Sequence, residues 1–423
     1  VVDFRSDKKF GIKAVSIMPL LCLWFMAGCG MVATQKGFYT PITAELQQGN
    51  YQNAAQALEK ARKKFGGKDR FVYFLDAGLA WHYAGQLDTS TARLHDAEEA
   101  ADELFTKSIS RAALSLVLND NVLEYAGEDY EILYANLFKS LNFVNQNNHE
   151  AAFVEIRRAN EKLNLLEDKY RKAADEFNSK AKEDKGHPRV EYKAEKVRFN
   201  NDAFARYLSM HMYAADGRWD DARIDREWLE RAFAEQPHIY DFEMPLVTYL
   251  PSDRSKVILS VVGLAGLAPV KEALELRIRT DSELDLVQVL YIGPSGQETE
   301  YFHFPLAVDD DIYLDLAVPQ FVDRPHQVAA IKVLADGIPM GSLHLIEKVG
   351  MVARETFNAK KSLIYLRMAI RTLTKGVAAY KKKEEVKDEG LGGWLKKAAI
   401  DAVYDISENA DLRCSRLLPG EIY

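Results

Sequence analysis

Leu46-Gln-Gln-Gly49-Asn-Tyr51-Gln-Asn-Ala54 sets a turn residue, a bulky residue two positions on, and a small residue three beyond that. The order recurs. Ala80-Trp81-His82-Tyr83-Ala84-Gly85-Gln-Leu87 opens a unit that runs to Leu94, and Leu141-Asn-Phe143 leads through Asn147-Asn-His149-Glu-Ala-Ala152 to Ile156. A further unit reads Tyr213-Ala-Ala-Asp-Gly217-Arg-Trp219-Asp-Asp-Ala222. The first and last units carry all three positions (Gly49, Tyr51, Ala54; Gly217, Trp219, Ala222). The middle two are degenerate (Gly85, Leu87; Asn147, Ala152), and the separations drift. Glycine or asparagine between two apolar-periodic stretches ends one helix and lets the next begin. Residues 40 to 236 therefore read as an array of helical hairpins. Unrelated hairpins that turn at Gly and Asn are the plainer alternative.

These stretches resemble the tetratricopeptide repeat. There the glycine permits close helix approach, the bulky residue fills the groove, and the alanine lets the second helix cross tightly. The resemblance implies a helical solenoid with a broad concave surface.

Periodicity adds to this reading. Tyr130, Leu133, Tyr134, Leu137 and Leu141 make one apolar stripe. Ile156, Ala159, Leu163, Leu166, Tyr170, Ala173 and Phe177 make a longer seam, matched after the charged loop 182–188 by Val190, Ala194, Val197, Asn201, Phe204, Leu208 and Ala215. The expectation is a long helical hairpin over 148–216, joined at Gly186-His187-Pro188 and extending roughly 40–50 Å. It either packs within the array or projects as an arm, with Asn201 fixing register.

After Pro245 and Pro251 the period changes to two, so 237–255 reads as a linker and 256–423 as a mixed β/α domain. Leu274, Leu276 and Ile278 alternate with Glu275, Arg277 and Arg279. Leu286 to Ile292 is a fuller strand, turned by Gly293-Pro294-Ser295-Gly296 toward Tyr301-Phe302-His303-Phe304. Ile312, Leu314 and Leu316 alternate again, and Val328–Leu334 and Ser342–Ile346 flank the turn signal Asp336-Gly337. These strands suggest a small antiparallel β-sandwich. Val352, Phe357, Leu363, Leu366, Ile370 and Leu373 then mark a helix running toward Lys381-Lys382-Lys383. Gly390, Gly392 and Gly393 break it before a further helix over Trp394–Ile406, and Ile422-Tyr423 starts a strand that reads as cut short. The fold class expected is α+β: an N-terminal tetratricopeptide-like helical solenoid, then a sandwich-like domain with C-terminal helices.

At the other end, Arg5, Lys8, Lys9 and Lys13 precede an apolar run from Ala14 to Ala27, short for a membrane span and suited to a secretion signal. Met26-Ala27-Gly28-Cys29 resembles the lipobox of bacterial lipoprotein precursors. The resemblance implies cleavage after residue 28 and a lipid on Cys29; a plain secretory signal or a short anchor with an incidental cysteine is the alternative. Residues 29–39 then form a tether, and its stretch from Gly30 to about Thr40 reaches at most about 40 Å. Gly30, where enterobacteria-like sorting would read aspartate as a retention mark, implies transfer to the outer membrane, facing the periplasm. Val1 in place of methionine reads as a GTG start or a fragment. Cys22 leaves with the signal, so Cys414 is the free thiol and no intrachain disulfide is expected.

A net charge of −8 and a pI near 5.7 argue against a nucleic-acid partner. Gly263 to Lys271 lacks the phosphate-loop frame, Pro294-Ser295-Gly296 is not a nucleophile elbow, and Asp309-Asp310-Asp311 lacks calcium-loop spacing. The histidines are scattered, and His82 and His211 fit local packing better than metal binding. No cofactor, metal or catalytic residue is expected.

Gly263-Leu264-Ala265-Gly266-Leu267-Ala268-Pro269-Val270-Lys271-Glu272, with Ala410-Asp411-Leu412-Arg413 and Leu418-Pro419, resembles an uncharacterised bacterial family of tetratricopeptide-repeat-like outer-membrane lipoproteins. The family implies this architecture and no activity. Cys414 stands where the resemblance leads one to expect an aromatic residue, so no special role is read into its thiol. The resulting expectation is a membrane-anchored, non-enzymatic scaffold that binds envelope proteins. A binder of envelope glycan, lipid or peptide is the alternative, and a cell-wall hydrolase the weaker one.

Overall fold

The computed structural model describes residues 36–111, 123–183, 191–250, 258–308, 311–385 and 410–423. The lipobox Met26-Ala27-Gly28-Cys29 and the run before it, the loop Gly186-His187-Pro188, Asp309-Asp310, the glycines Gly390, Gly392 and Gly393, and the helix read over Trp394–Ile406 lie outside the described residues.

Helices α1 (Lys36–Gln47), α2 (Tyr51–Phe65), α3 (Arg70–Tyr83), α4 (Leu87–Arg111), α5 (Asp129–Asn145) and α6 (His149–Asn164) each pack on the next. After α7 (Leu166–Glu183), α8 (Ala203–Ala215) packs on α6 and on α9 (Trp219–Glu235). The hairpins α1–α2, α3–α4, α5–α6 and α8–α9 turn in the same way. Gly49, Gly85, Asn147 and Gly217 hold left-handed φ values of 77°, 70°, 57° and 72°. The residue after each reaches back five positions: Asn50 N–H donates to Glu45 O (2.9 Å), Gln86 to Trp81 O (2.9 Å), Asn148 to Phe143 O (2.8 Å) and Arg218 to Tyr213 O (2.8 Å). This is the Schellman closure, which satisfies carbonyls that a helix end would otherwise leave open. Three residues into each second helix a small side chain is fully buried: Ala54, Ser90, Ala152 and Ala222, all 0% exposed. Serine fits the second position because its hydroxyl donates to Gly78 O at 2.8 Å.

The second arm of the hairpin expected over 148–216 is a correction. α6 and α7 supply the first arm, but residues 191–202 are not helical and α8 starts only at Ala203. Asn178 Nδ2 donates to Tyr192 O (2.7 Å) and Tyr192 N–H donates to Asn178 Oδ1 (2.8 Å). A side-chain amide thus takes both backbone groups that a helix would have used. Asp202 Oδ1 then accepts Ala205 N–H at 2.7 Å and caps α8.

The later strands are β1 (Leu264–Ala265), β2 (Val270–Asp281), β3 (Leu286–Ile292), β4 (Glu298–Pro305), β5 (Tyr313–Val322), β6 (Lys332–Ala335), β7 (Ile338–Ser342), β8 (Glu347–Lys348) and β9 (Glu421–Ile422). They do not form a sandwich. An antiparallel sheet of order β4-β3-β2-β5 lays Leu276, Ile278, Val287, Val289, Leu316 and Val318 against helix α10 (Val349–Glu385). Its other face carries Arg277, paired with Asp315, and Arg279, bonded to Gln288. Gly376 of α10 sits so close to β5 that a Cβ there would meet Leu314 Cδ1 at 2.4 Å. β6 and β7 form a separate hairpin whose turn is just Asp336-Gly337, with φ 50° and 81°. β9 lies between β1 and β8, antiparallel to both. One apolar core runs from Phe38 and Tyr39 in α1 to Val349, Leu417, Leu418 and Ile422, joining the helical and later segments.

The shared turn geometry sets a stability test. Gly85 has open space for a Cβ but holds a left-handed φ. Gly85→Ala is expected to cost about 1 kcal/mol in urea unfolding, and Gly85→Asn clearly less, because asparagine tolerates this conformation.

Candidate functional site

The repeat-like positions fall into two groups. The turn residues Gly49, Gly85, Asn147 and Gly217 and the small residues Ala54, Ala152 and Ala222 hold the hairpins as described above. The bulky residues depart from the expectation of groove filling. Tyr51 and Trp219 are 42% and 47% exposed and Leu87 is half-buried, because each is the first residue of its second helix, at the outer end of the turn.

Two first helices of the hairpins, α3 and α5, face the chain's own later half. Glu128 and Asp129, at the N-terminus of α5, meet Lys271 of β2, Lys360 of α10 and Lys169 of α7. Lys360 Nζ lies 2.6 Å from Glu128 and 3.2 Å from Asp129, and Tyr170 O–H donates to Asp129 at 2.5 Å. Burial pushes Glu128 up, but the Lys271 and Lys360 ammoniums outweigh it and hold the carboxyl down at about 2. The segment 411–418 completes this face. Arg413 donates to Asp69 (3.0 Å) and Leu123 O (2.9 Å), Ser415 N–H donates to Glu131, and Ser415 O–H donates to Asp76 at 2.5 Å. Tyr83 O–H donates to Leu417 O at 2.8 Å. Glu131, Asp76 and Cys414 are 0% exposed, so these groups are closed to solvent. Burial, with a smaller push from the Glu128 charge, lifts Glu131 to about 7; burial lifts the Cys414 thiol to about 11.

A second buried ion cluster joins neighbouring hairpins. Lys139 of α5 lies 2.5 Å from Glu98 of α4 and 2.7 Å from Glu155 of α6, and Lys162 lies 2.6 Å from Glu98. Burial raises Glu98, but the two lysines prevail and hold it at about 2. Sequence reading found neither cluster. The available signal was an acidic helix start at Glu128-Asp129-Tyr130-Glu131 with aromatic residues around it.

A third buried set, Asp202 and Glu347, has no cation at contact distance among the described residues. Asp202 Oδ2 and Glu347 Oε1 are buried without a hydrogen-bond partner, while Tyr240 O–H donates to the other Glu347 oxygen at 3.2 Å. Burial lifts Asp202 to about 6, against the pull of nearby Arg206. Burial, then the Asp202 charge, lifts Glu347 well above the carboxylate range.

A cavity of about 310 Å³ opens where α3, α5, α6 and α8 meet the segment leading into β1. Its aliphatic wall is Leu141, Val144, Leu208, Met212, Ala215, Val262 and Leu264. Its polar lining is His82, Asn145, His149, Tyr207, His211 and Ser260. His82 Nδ1 lies 2.6 Å from Asn142 Oδ1, His149 Nδ1 lies 2.8 Å from Asp216 Oδ1, and Tyr207 Oη lies 2.6 Å from Ser260 Oγ. Burial lowers His82 and His211 below the ordinary imidazole value, so both are neutral near pH 7. The expectation of local packing for these two histidines describes their rings, which stand edge-on to Phe138 and Tyr207. What it missed is that they share one cavity with His149. Among the described residues no three His, Cys, Asp or Glu side chains stand together as a metal site. No helix among them is long and apolar enough to cross a membrane.

No family model, curated protein or solved structure matches the chain.

Two outcomes follow from the buried charges. Lys271→Met leaves Glu128 with one of its two cations and is expected to cost about 3–5 kcal/mol, read as a urea midpoint shift. For pH, the raised carboxyls keep protons that the unfolded chain releases above its ordinary value near 4, so their stabilisation is complete below that value. It is lost as pH rises through about 6 for Asp202 and about 7 for Glu131. Asp202→Asn keeps the cap acceptor and removes the charge. It is expected to flatten the fall of the urea midpoint between about pH 4 and about pH 6.

Proposed function

We propose that the protein is a lipid-anchored, non-enzymatic adaptor of the bacterial envelope. In this reading Cys29 carries the lipid and holds the chain at the periplasmic face of the outer membrane. The hairpins stack in the tetratricopeptide manner, and their outward faces dock other envelope proteins. The observation that carries it is the fourfold recurrence of one cap: a left-handed residue, a bond back five positions, and a buried small side chain. Repeated units of this kind build extended docking surfaces. The lipobox-like string and the lipoprotein-family resemblance of 263–272 and 410–413 support the anchor.

The buried contacts of Asp76, Tyr83 and Glu131 with 415–417 support an outward docking face. With α3 and α5 occupied by the chain itself, docking in this reading falls to the outer helices. The last hairpin suits this best. The outer helix of a terminal repeat is normally polar, yet α9 exposes Trp219 (47%), Ile224 (42%) and Trp228 (38%). Arg206 and Arg231 lie 5.2 and 5.0 Å from the Trp228 ring. Tryptophan and arginine within a charged surround are the residue types that dominate protein interfaces.

Photo-crosslinkers placed at Trp219 and Trp228 in intact cells test the reading. The expected result is one discrete adduct with another envelope protein, lost in Trp228→Ala and in Cys29→Ser, with the Cys29→Ser chain released from membranes by a salt wash. Recovery of the uncrosslinked chain alone at native abundance, or retention of Cys29→Ser on salt-washed membranes, contradicts it.

A further inference from the structure

We infer that the cavity between α3, α5, α6 and α8 binds a small neutral molecule with an apolar body and one hydrogen-bond donor, a hydroxyl or an N–H, which His82 Nε2 accepts. This function is separate from adaptor docking and does not depend on it.

The direction of the hydrogen bond follows from a buried chain of partners. Gly78 O can only accept, so Ser90 gives it the hydroxyl proton at 2.8 Å. Ser90 Oγ must then receive, and Asn142 Nδ2 donates to it at 2.9 Å and to Thr91 Oγ1 at 3.0 Å. That orientation turns Asn142 Oδ1 toward His82, 2.6 Å from Nδ1. Only a protonated Nδ1 answers a carbonyl oxygen, so the neutral ring keeps its lone pair on Nε2. Among the described residues nothing donates to Nε2.

The walls decide the rest of the ligand. The cavity volume of about 310 Å³ equals about ten waters and lies at the small end of ligand sites. Waters filling it would face Leu141, Val144, Met212 and Val262, which return no hydrogen bonds. An apolar body displaces them favourably. Among the described residues no Asp, Glu, Lys or Arg side chain lines the cavity, and the nearby Asp216 carboxylate is already bonded to His149. An ion would give up hydration there without meeting an opposite Asp, Glu, Lys or Arg charge among the described lining residues.

Cyclohexylmethanol, its methyl ether and cyclohexanecarboxylate share one ring and differ in donor and charge. Binding to the whole chain is read from the methyl resonances of Val144, Met212 and Val262, and the His82 tautomer from imidazole nitrogen resonances. The expected result is saturable binding of the alcohol and about three- to tenfold weaker binding of the ether. The carboxylate is expected not to bind, and His82 to carry its proton on Nδ1, with Nε2 shifting when the alcohol is added. His82→Phe is expected to abolish the preference for alcohol over ether; if it fails to fold, the wild-type nitrogen spectra decide. Equal affinity for alcohol and ether, binding of the carboxylate as tight as the alcohol, a proton on Nε2, or no saturable shift with the alcohol overturns the inference.

Discussion

The start of α5 holds the architecture together. Glu128 and Asp129 are buried where a helix N-terminus favours negative charge, but that dipole alone cannot offset the loss of water around two carboxylates. Lysines from β2, α10 and α7 supply the remainder. Each of those lysines is itself costly to bury without a carboxylate. The cluster is therefore stable only when all the elements arrive together. It ties residues 128 and 129 to positions 169, 271 and 360, and Glu131 extends it to 415. Contacts so distant in sequence oblige the helical and sheet-bearing segments to settle on one another.

That constraint changes what the helical hairpins are available for. Two of their first helices, α3 and α5, receive the chain's own 411–418 segment. Among the described residues, α9 keeps an exposed face and a cavity stays open where α8 and the segment before β1 meet α3 and α5. Its imidazoles come from α3, α6 and α8, so only stacked hairpins bring them together. The same stacking that supports the adaptor reading thus builds the cavity.

Much of the local structure was legible because it rests on short-range rules. Gly49, Gly85, Asn147 and Gly217 mark turns because a left-handed residue must stand there. Leu274, Leu276 and Ile278 mark a strand because only alternation puts them on one face. Long-range partnerships were not legible. Alternation says that β2 has an apolar face but not whether a helix or a second sheet covers it, and α10 did so instead of a sandwich partner. The seam over 190–201 looked helical by spacing, yet Asn178 bonds to Tyr192 as a strand neighbour would, which no periodicity reveals. The cavity was equally hidden, since the tautomer of His82 depends on Ser90, Asn142 and a carbonyl of α3.

Native-state hydrogen exchange tests the central claim that the chain fills its own inner face. Amides of 413–418 are expected to share the opening free energy of the amides in α5, and Lys271→Met is expected to lower both by the same amount. Exchange of 413–418 at the rate of an open chain while α5 stays protected would contradict the account.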